Sequence, residues 1–236
     1  MEKRGLAKRL FRWLAWMVAS WIVVSVLLVL TLRWVDPPTT AFITGARLQA
    51  WMDDKPLRVR QEWVDYSRIS LHAPLAVIAA EDQKFPQHWG FDFASIDDSL
   101  REHSRGKRLR GASTISQQVA KNLFLWKRPS LVRKGFEAWF TLLIESLWPK
   151  QRILEVYLNV AELGPGIYGV GAASRHYFGK PAGWLTPADS ALLAAVLPNP
   201  KRLKVASPSP FVRSRQEWIL WQMRGLGGTR YLAGMD

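Results

Sequence analysis

Glu81 and Asp82 end the apolar stretch Ala73-Pro74-Leu75-Ala76-Val77-Ile78-Ala79-Ala80. A carboxylate carried into a cleft by an apolar helix has its ionised form penalised by desolvation, so its pKa rises and it can exchange a proton near neutrality. An acidic pair at a helix end is otherwise an ordinary solvated terminus. The run Glu81-Asp82-x-x-Phe85-x-x-His88-x-Gly90-x-Asp92 gathers carboxylates, an imidazole and a glycine turn into twelve residues, which favours acid–base chemistry at Glu81. His88 by itself reads as a structural hydrogen-bond donor. A second set, Lys121, Arg128, Arg133 and Lys134 with Glu137, clusters cations around one carboxylate within seventeen residues. That spacing serves equally a solvated basic face, with helical ion pairs of ~0.3–0.5 kcal/mol each, and a pyrophosphate site in which cations neutralise charge on a leaving group.

Other chemistries find no support. There is no cysteine among the 236 residues, so a disulfide framework, a thiolate zinc site and a thiol nucleophile are excluded. Gly106, Gly111 and Ser113 border basic residues, but neither GxxxxGK[ST] nor GxGxxG occurs, and the four histidines form no HExxH or other metal-ligand spacing.

The elements that must position these groups are mostly helical. Ala73 to Asp82 reads as a buried helix with proline in its first turn. Thr114 to Leu125 reads as a second helix, in which Gln118 and Lys121 share a face. Leu131 to Leu147 follows with Phe136, Phe140, Leu143 and Leu147 as its core stripe and Arg133, Lys134 and Glu137 on an adjoining polar face. Pro149 separates it from a helix over Gln151 to Asn159. A loop with Gly164, Pro165, Gly166 and Gly169 leads to a short helix ending at Tyr177-Phe178-Gly179. Thr186-Pro187-Ala188-Asp189 caps an Ala/Leu helix that Pro198 stops. No period-2 strand series appears, so the domain is expected to be mainly α.

Composition and the N-terminus restrict the setting. A net charge of +14 with 48% hydrophobic and 12% aromatic residues excludes intrinsic disorder and calls for an anionic partner: nucleic acid, an acidic membrane or a phosphorylated substrate. Trp13 to Leu32 is twenty residues without a charge, about 30 Å as a helix, which matches a bilayer core. Lys3, Arg4, Lys8, Arg9 and Arg12 precede it, which keeps that end cytoplasmic. A cleaved signal peptide would have an apolar core of about 7–15 residues and an A-x-A-like site, and neither occurs here. The expected organisation is a basic cytoplasmic tail over 1–12, a transmembrane anchor over 13–35 and an exported domain over 36–236, reached through the stiff Asp36-Pro37-Pro38 spacer. Export removes nucleic acid as partner. The segment through Val35 holds six basic residues and one acidic, leaving +9 on the remainder, which suits a domain lying against an anionic leaflet.

Four stretches together carry a family resemblance: Glu81 to Asp92; Gly111-Ala112-Ser113-Thr114-Ile115-Ser116-Gln117-Gln118-x-x-Lys121-Asn122; Arg133-Lys134-x-x-Glu137; and Ile153-Leu154-Glu155-x-Tyr157-Leu158-Asn159. They closely resemble the bacterial peptidoglycan glycosyltransferases, over about Pro74 to Pro200, and the single anchor resembles the monofunctional biosynthetic type. The bifunctional type adds a transpeptidase domain with S-x-x-K and K-T-G motifs, and an end at Asp236 leads us to expect none.

The resemblance implies a lysozyme-like, mainly α domain that polymerises lipid II, a disaccharide-pentapeptide on undecaprenyl pyrophosphate, into β-1,4 glycan with inversion. By the same resemblance Glu81 is the general base on the acceptor 4-hydroxyl and Glu137 the second essential carboxylate, which holds a divalent ion or orders the cations. Lys121 and Lys134 match the pyrophosphate side, Gln118 and Ser113 the donor side, and Arg128 and Arg133 are expected to bind substrate with them. Family members carry an arginine where this chain has Pro129; Arg128 stands one position earlier. No tightly bound cofactor is implied, a magnesium or manganese ion being the one loosely held candidate. The implied partners are lipid II, the growing glycan chain, an anionic membrane surface and cell-wall synthesis or division proteins, with the catalytic domain on the periplasmic side of the inner membrane. Two alternatives stand beside this: a lysozyme-like hydrolase, which uses carboxylates but needs no pyrophosphate site, and a non-catalytic anchored scaffold.

Overall fold

The computed structural model describes residues 2–54, 56–93, 97, 101 and 113–235, with side chains from Lys8 onward. Gly106, Gly111, Ala112 and the basic Arg105 to Arg110 segment lie outside the described residues. The chain divides into two compact units, Met1–Pro37 and Pro38–Asp236. The first is helix α1 (Glu2–Thr31), whose stretch Lys8–Thr31 is long and apolar enough to cross a membrane. Trp13, Trp16 and Met17 are among its exposed side chains. Beyond Thr31 the Leu32 N–H still donates to the Leu28 carbonyl at 3.1 Å, before the proline pair stops the helix.

The second unit begins with α2 (Ala41–Met52), capped by Thr40, whose hydroxyl accepts from the Ile43 N–H. After β1 (Arg60–Gln61) comes α3 (His72–Glu81), which buries Ala73 to Ala79 without interruption. A helix apolar on all sides must be enclosed, and α3 is held between later helices. These are α4 (Ile115–Phe124), α5 (Leu131–Leu147), α6 (Lys150–Val160), α7 (Gly169–Phe178), α8 (Pro187–Val196) and α9 (Pro210–Gly225). Helices α8 and α9 pack on one side of α3, and α4 packs against α5 and α6. The domain is mainly α, as the sequence predicts.

Two findings depart from the sequence expectations. Strands β2 (Glu162–Gly164) and β3 (Ile167–Tyr168) form with β1 a small sheet in the order β1-β3-β2, β1 parallel and β2 antiparallel to β3. Segments of two or three residues are too short to show alternation. The core stripe of α5 is also rotated from the one expected. The buried residues are Glu137, Phe140, Thr141, Ile144 and Glu145, so only Phe140 of the predicted stripe is buried. The inward face carries two carboxylates, and hydrophobic periodicity cannot locate a face whose polar groups are paired inside the protein.

The Ile153-to-Asn159 motif lies on α6 and fixes the approach to α3. Asn159 is buried; its Oδ1 accepts the Val64 N–H at 2.8 Å and its Nδ2 donates to the Val64 carbonyl at 2.9 Å, so one amide replaces a strand partner. Glu155 accepts the Tyr66 N–H at 2.9 Å and pairs with Arg152 at 2.7 Å. Gly169, at φ +80, passes so close to the Asn159 carbonyl that a Cβ would lie 2.6 Å from it. Asn159→Ala would orphan both backbone groups of Val64, a loss of about 3 kcal/mol. Thermal unfolding followed by circular dichroism is expected to show Tm lower by roughly 6–12 °C.

Candidate active site

The two carboxylates at the end of α3 point to different environments. Asp82 is buried: its Oδ1 and Oδ2 lie 2.9 and 3.0 Å from His88 Nε2, and Oδ2 accepts the Ile115 N–H at 3.0 Å. The Gly90 N–H donates to His88 Nδ1 at 3.1 Å, so Nδ1 is the acceptor and Nε2 carries the proton given to Asp82. Gly90 sits at φ +77, where a Cβ would lie 2.6 Å from Thr141 Cγ2, and its carbonyl accepts the Thr114 hydroxyl at 2.7 Å. Lys150 donates to the His88 carbonyl at 2.6 Å and pairs with the buried Glu145. His88 is thus a structural donor, as its sequence reading holds.

Glu81 faces a cleft of about 810 Å³, whose lining includes Ser113, Gln118, Lys121, Arg215 and Trp218. Its Oε2 accepts Gln118 Nε2 at 3.0 Å, and Arg215 NH2 lies 3.4 Å from Oε1. Burial pushes the Glu81 pKa above the usual carboxylate value, against the opposing pull of the Gln118 hydrogen bond and the Arg215 and Lys121 charges. The capping box of Thr114 and Gln117 starts α4, which sets Gln118 one turn in. The Tyr157 hydroxyl donates to Gln118 Oε1 at 3.1 Å and so turns the amide NH2 toward Glu81. Burial holds that phenol protonated, its pKa far above the ordinary value.

The cations gather on the adjoining side. Ser130 caps α5 through the Arg133 N–H. Glu137, 3% exposed, has one oxygen 3.0 Å from Arg133 NH1 and the other bonded to Lys134 Nζ. Lys121 lies within the field of Glu81 and Glu137 as well as of Arg133 and Lys134; burial is the largest influence on it and lowers its pKa. Its ammonium also stands 5.7 Å from the centre of the Phe42 ring. Arg133 Nε is buried with no partner among the described residues, an unused donor beside the cluster. Glu137 does not fit a metal ligand here: both its oxygens are engaged by cations, and among the described residues no three His, Asp or Glu side chains gather at one point.

Ser113 is exposed at the cleft, whereas Arg128 is exposed on the turn between α4 and α5, outside the cleft lining. A second, more apolar cavity of about 800 Å³ lies against α2 and contains neither Glu81 nor the Glu137 cluster. Sequence reasoning missed Arg215. It lies 134 residues from Glu81, on a helix beyond the resembling stretch, and its spacing from the motifs carries no signal.

A half-buried carboxylate and Lys121 line one cleft, and Lys121 stands in the field of the Arg133–Lys134–Glu137 cluster, within a mainly α domain; such an arrangement is that of an enzyme site. Residues 48–224 match the transglycosylase family, and the chain belongs to that family. Biosynthetic peptidoglycan transglycosylase of Xanthomonas euvesicatoria pv. vesicatoria (strain 85-10) is 52% identical over 231 residues, covering 96% of this chain and 93% of its own length. The protein of that name from Stutzerimonas stutzeri (strain A1501) is 52% identical over 229 residues, with 97% and 93% covered. That of Pseudomonas aeruginosa PAO1 is 49% identical over 233 residues, with 99% of each covered. The chain is a peptidoglycan transglycosylase, a glycosyltransferase of cell-wall biosynthesis.

The raised pKa of Glu81 has a consequence for stability. Between its unfolded value, 4.5, and its higher folded value the native state binds more protons than the unfolded one, so stability falls as pH rises through that window. Glu81→Gln removes the penalty. Its Tm is expected to exceed that of the unsubstituted protein at pH 7, and the gain to vanish below about pH 4.5. Arg215→Ala removes an attraction that favours the ionised form, so the acid limb of the pH–rate profile is expected to move to higher pH, with activity lost more at acidic than at alkaline pH.

Proposed function

We propose that the enzyme polymerises lipid II into linear β-1,4 glycan, with Glu81 as general base and the Lys121–Arg133–Lys134 group as the pyrophosphate site. The acceptor's 4-hydroxyl oxygen attacks the donor's anomeric carbon, and the bond from that carbon to the pyrophosphate oxygen breaks. The hydroxyl proton passes to a Glu81 carboxylate oxygen, undecaprenyl pyrophosphate leaves, and attack opposite the leaving group turns the α linkage into β. Glu81 suits this role because burial raises its pKa toward the operating pH. Lys121 neutralises charge developing on the leaving oxygen, with Gln118 and Ser113 on the donor side of the same cleft. Glu137 acts by ordering Arg133 and Lys134, and no divalent ion is needed for that. Arg128, exposed on the turn before α5, is a further cation available to the pyrophosphate.

The observation that carries this reading is Lys121 standing in the field of both Glu81 and the buried Glu137. A hydrolase attacking with water has no use for a cation so placed, and a scaffold has no use for a desolvated, destabilising glutamate. The setting proposed is a single-pass protein anchored by α1 with its basic end cytoplasmic and its domain outside, against the anionic leaflet where lipid-linked substrate resides. Cell-wall synthesis or division proteins are the protein partners that fit this setting.

The test is lipid II turnover by full-length protein in detergent, with products separated by size. Unsubstituted protein is expected to form lysozyme-sensitive polymer and release undecaprenyl pyrophosphate, and Glu81→Gln to do neither. Lys121→Ala should fall by about 10²–10³ in kcat. Cleavage of preformed glycan without polymer formation would instead establish the hydrolase.

A further inference from the structure

The two walls of the Glu81 cleft differ in chemistry. Helices α3 and α4 contribute Glu81, Gln118 and Lys121, with Ser113 just before the α4 cap, whereas α9 contributes Phe211, Arg215 and Trp218. On α9 the last three are four and three residues apart, so they stand on one face. Phe211 is 63% and Trp218 43% exposed, leaving two large aromatic faces open at a cavity whose floor is a carboxylate. The Arg215 guanidinium lies 5.9 Å from the Trp218 ring centre while its NH2 reaches Glu81 at 3.4 Å, which ties the aromatic wall directly to the proposed base.

A ligand for such a wall needs an apolar face and a hydroxylated edge. A hexopyranose with equatorial substituents has both: its ring faces present C–H groups and its rim presents hydroxyls. An isoprenoid chain meets the first need only, and gains nothing from a half-buried Glu–Arg pair. We propose that Trp218, with Phe211, is a saccharide-stacking wall that holds a sugar ring flat against α9 with its hydroxyl edge toward Glu81. This rests on the glycosyltransferase reading and assigns it a specificity-determining surface apart from the charged groups. Arg215, touching both Trp218 and Glu81, makes the orientation of the base sensitive to whether the wall is occupied.

The experiment compares Trp218→Ala, Trp218→Leu and Trp218→Phe with unsubstituted full-length protein in detergent, and uses Trp221→Ala, an exposed α9 residue outside the cleft lining, as control. Two readouts are taken: calorimetric affinity for a lipid-free, uncrosslinked GlcNAc–MurNAc tetrasaccharide, and KM and kcat for lipid II. Trp218→Ala and Trp218→Leu are expected to weaken tetrasaccharide binding and raise KM about tenfold each, the size of one good aromatic contact. Trp218→Phe should stay close to unsubstituted protein, since it keeps a flat face, and Trp221→Ala should be unchanged. Unsubstituted protein that fails to bind the tetrasaccharide, or a Trp218→Leu variant that binds it normally, overturns the wall. Polymerisation with no dependence on Trp218 overturns the wall and leaves the transferase reading intact. Trp218-dependent tetrasaccharide binding without lipid II turnover supports the wall and refutes the lipid II reading instead.

Discussion

Asp82 joins α3 to α4, and the active site depends on that joint. An ionised carboxylate inside a protein must be paired and hydrogen-bonded; Asp82 has the His88 Nε2–H on one side and the Ile115 N–H, at the positive end of α4, on the other. His88 is held in turn by the Gly90 N–H and by Lys150. With α3 and the start of α4 locked together, Glu81 has little freedom of its own. It lies one residue before the joint, and Gln118 lies three residues beyond it. The contact between Glu81 and Gln118 is thus set by groups that never meet the substrate, which is how a site keeps its geometry to within fractions of an ångström.

Glu81 and Glu137 show how neighbours set two residues of one type apart. Glu137 is surrounded: Arg133 and Lys134 take both its oxygens, and it serves as the fixed counter-charge that lets several cations share a small volume. Glu81 has one amide and one longer guanidinium contact, so burial dominates its titration and its proton affinity rises. Environments that drive like groups toward different tasks are the usual way one fold supplies both a base and an electrostatic clamp. The fold bears a stability cost for this at Glu81, as sites built for chemistry commonly do.

Glu81, Gln118, Lys121, Arg133, Lys134 and Glu137 were legible because they sit in short contiguous motifs, α3 because an unbroken apolar run surrounds its first-turn proline, and α4 because its pattern agrees with its capping box. What escaped has physical reasons. The buried face of α5 carries Glu137 and Glu145, and a hydrophobicity pattern reads carboxylates as solvent-facing until their partners are known. The sheet escaped because its strands are too short to alternate. Asn159 could be noticed as part of a motif, but not that its amide stands in for a β partner of Val64, because that pairing spans 95 residues. Arg215 and Trp218 come from a helix that the motifs do not reach, and tertiary packing alone brings them to Glu81.

This separation between near and distant sequence divides the cleft by function. The α4 and α5 side collects its charges from one stretch, Gln118 to Glu137, in which helical spacing already brings Arg133 and Lys134 onto Glu137. A sequence this local can hold a charge array through considerable change elsewhere. The α9 side packs on α3 and α8 and reaches Glu81 through Arg215. Side chains on α9 can therefore vary the shape and stacking surface of the cleft without disturbing the cation cluster proposed to hold pyrophosphate. Arg215 is the exception, because its charge bears on both, and it is the position at which a change in substrate fit would be felt directly at the base.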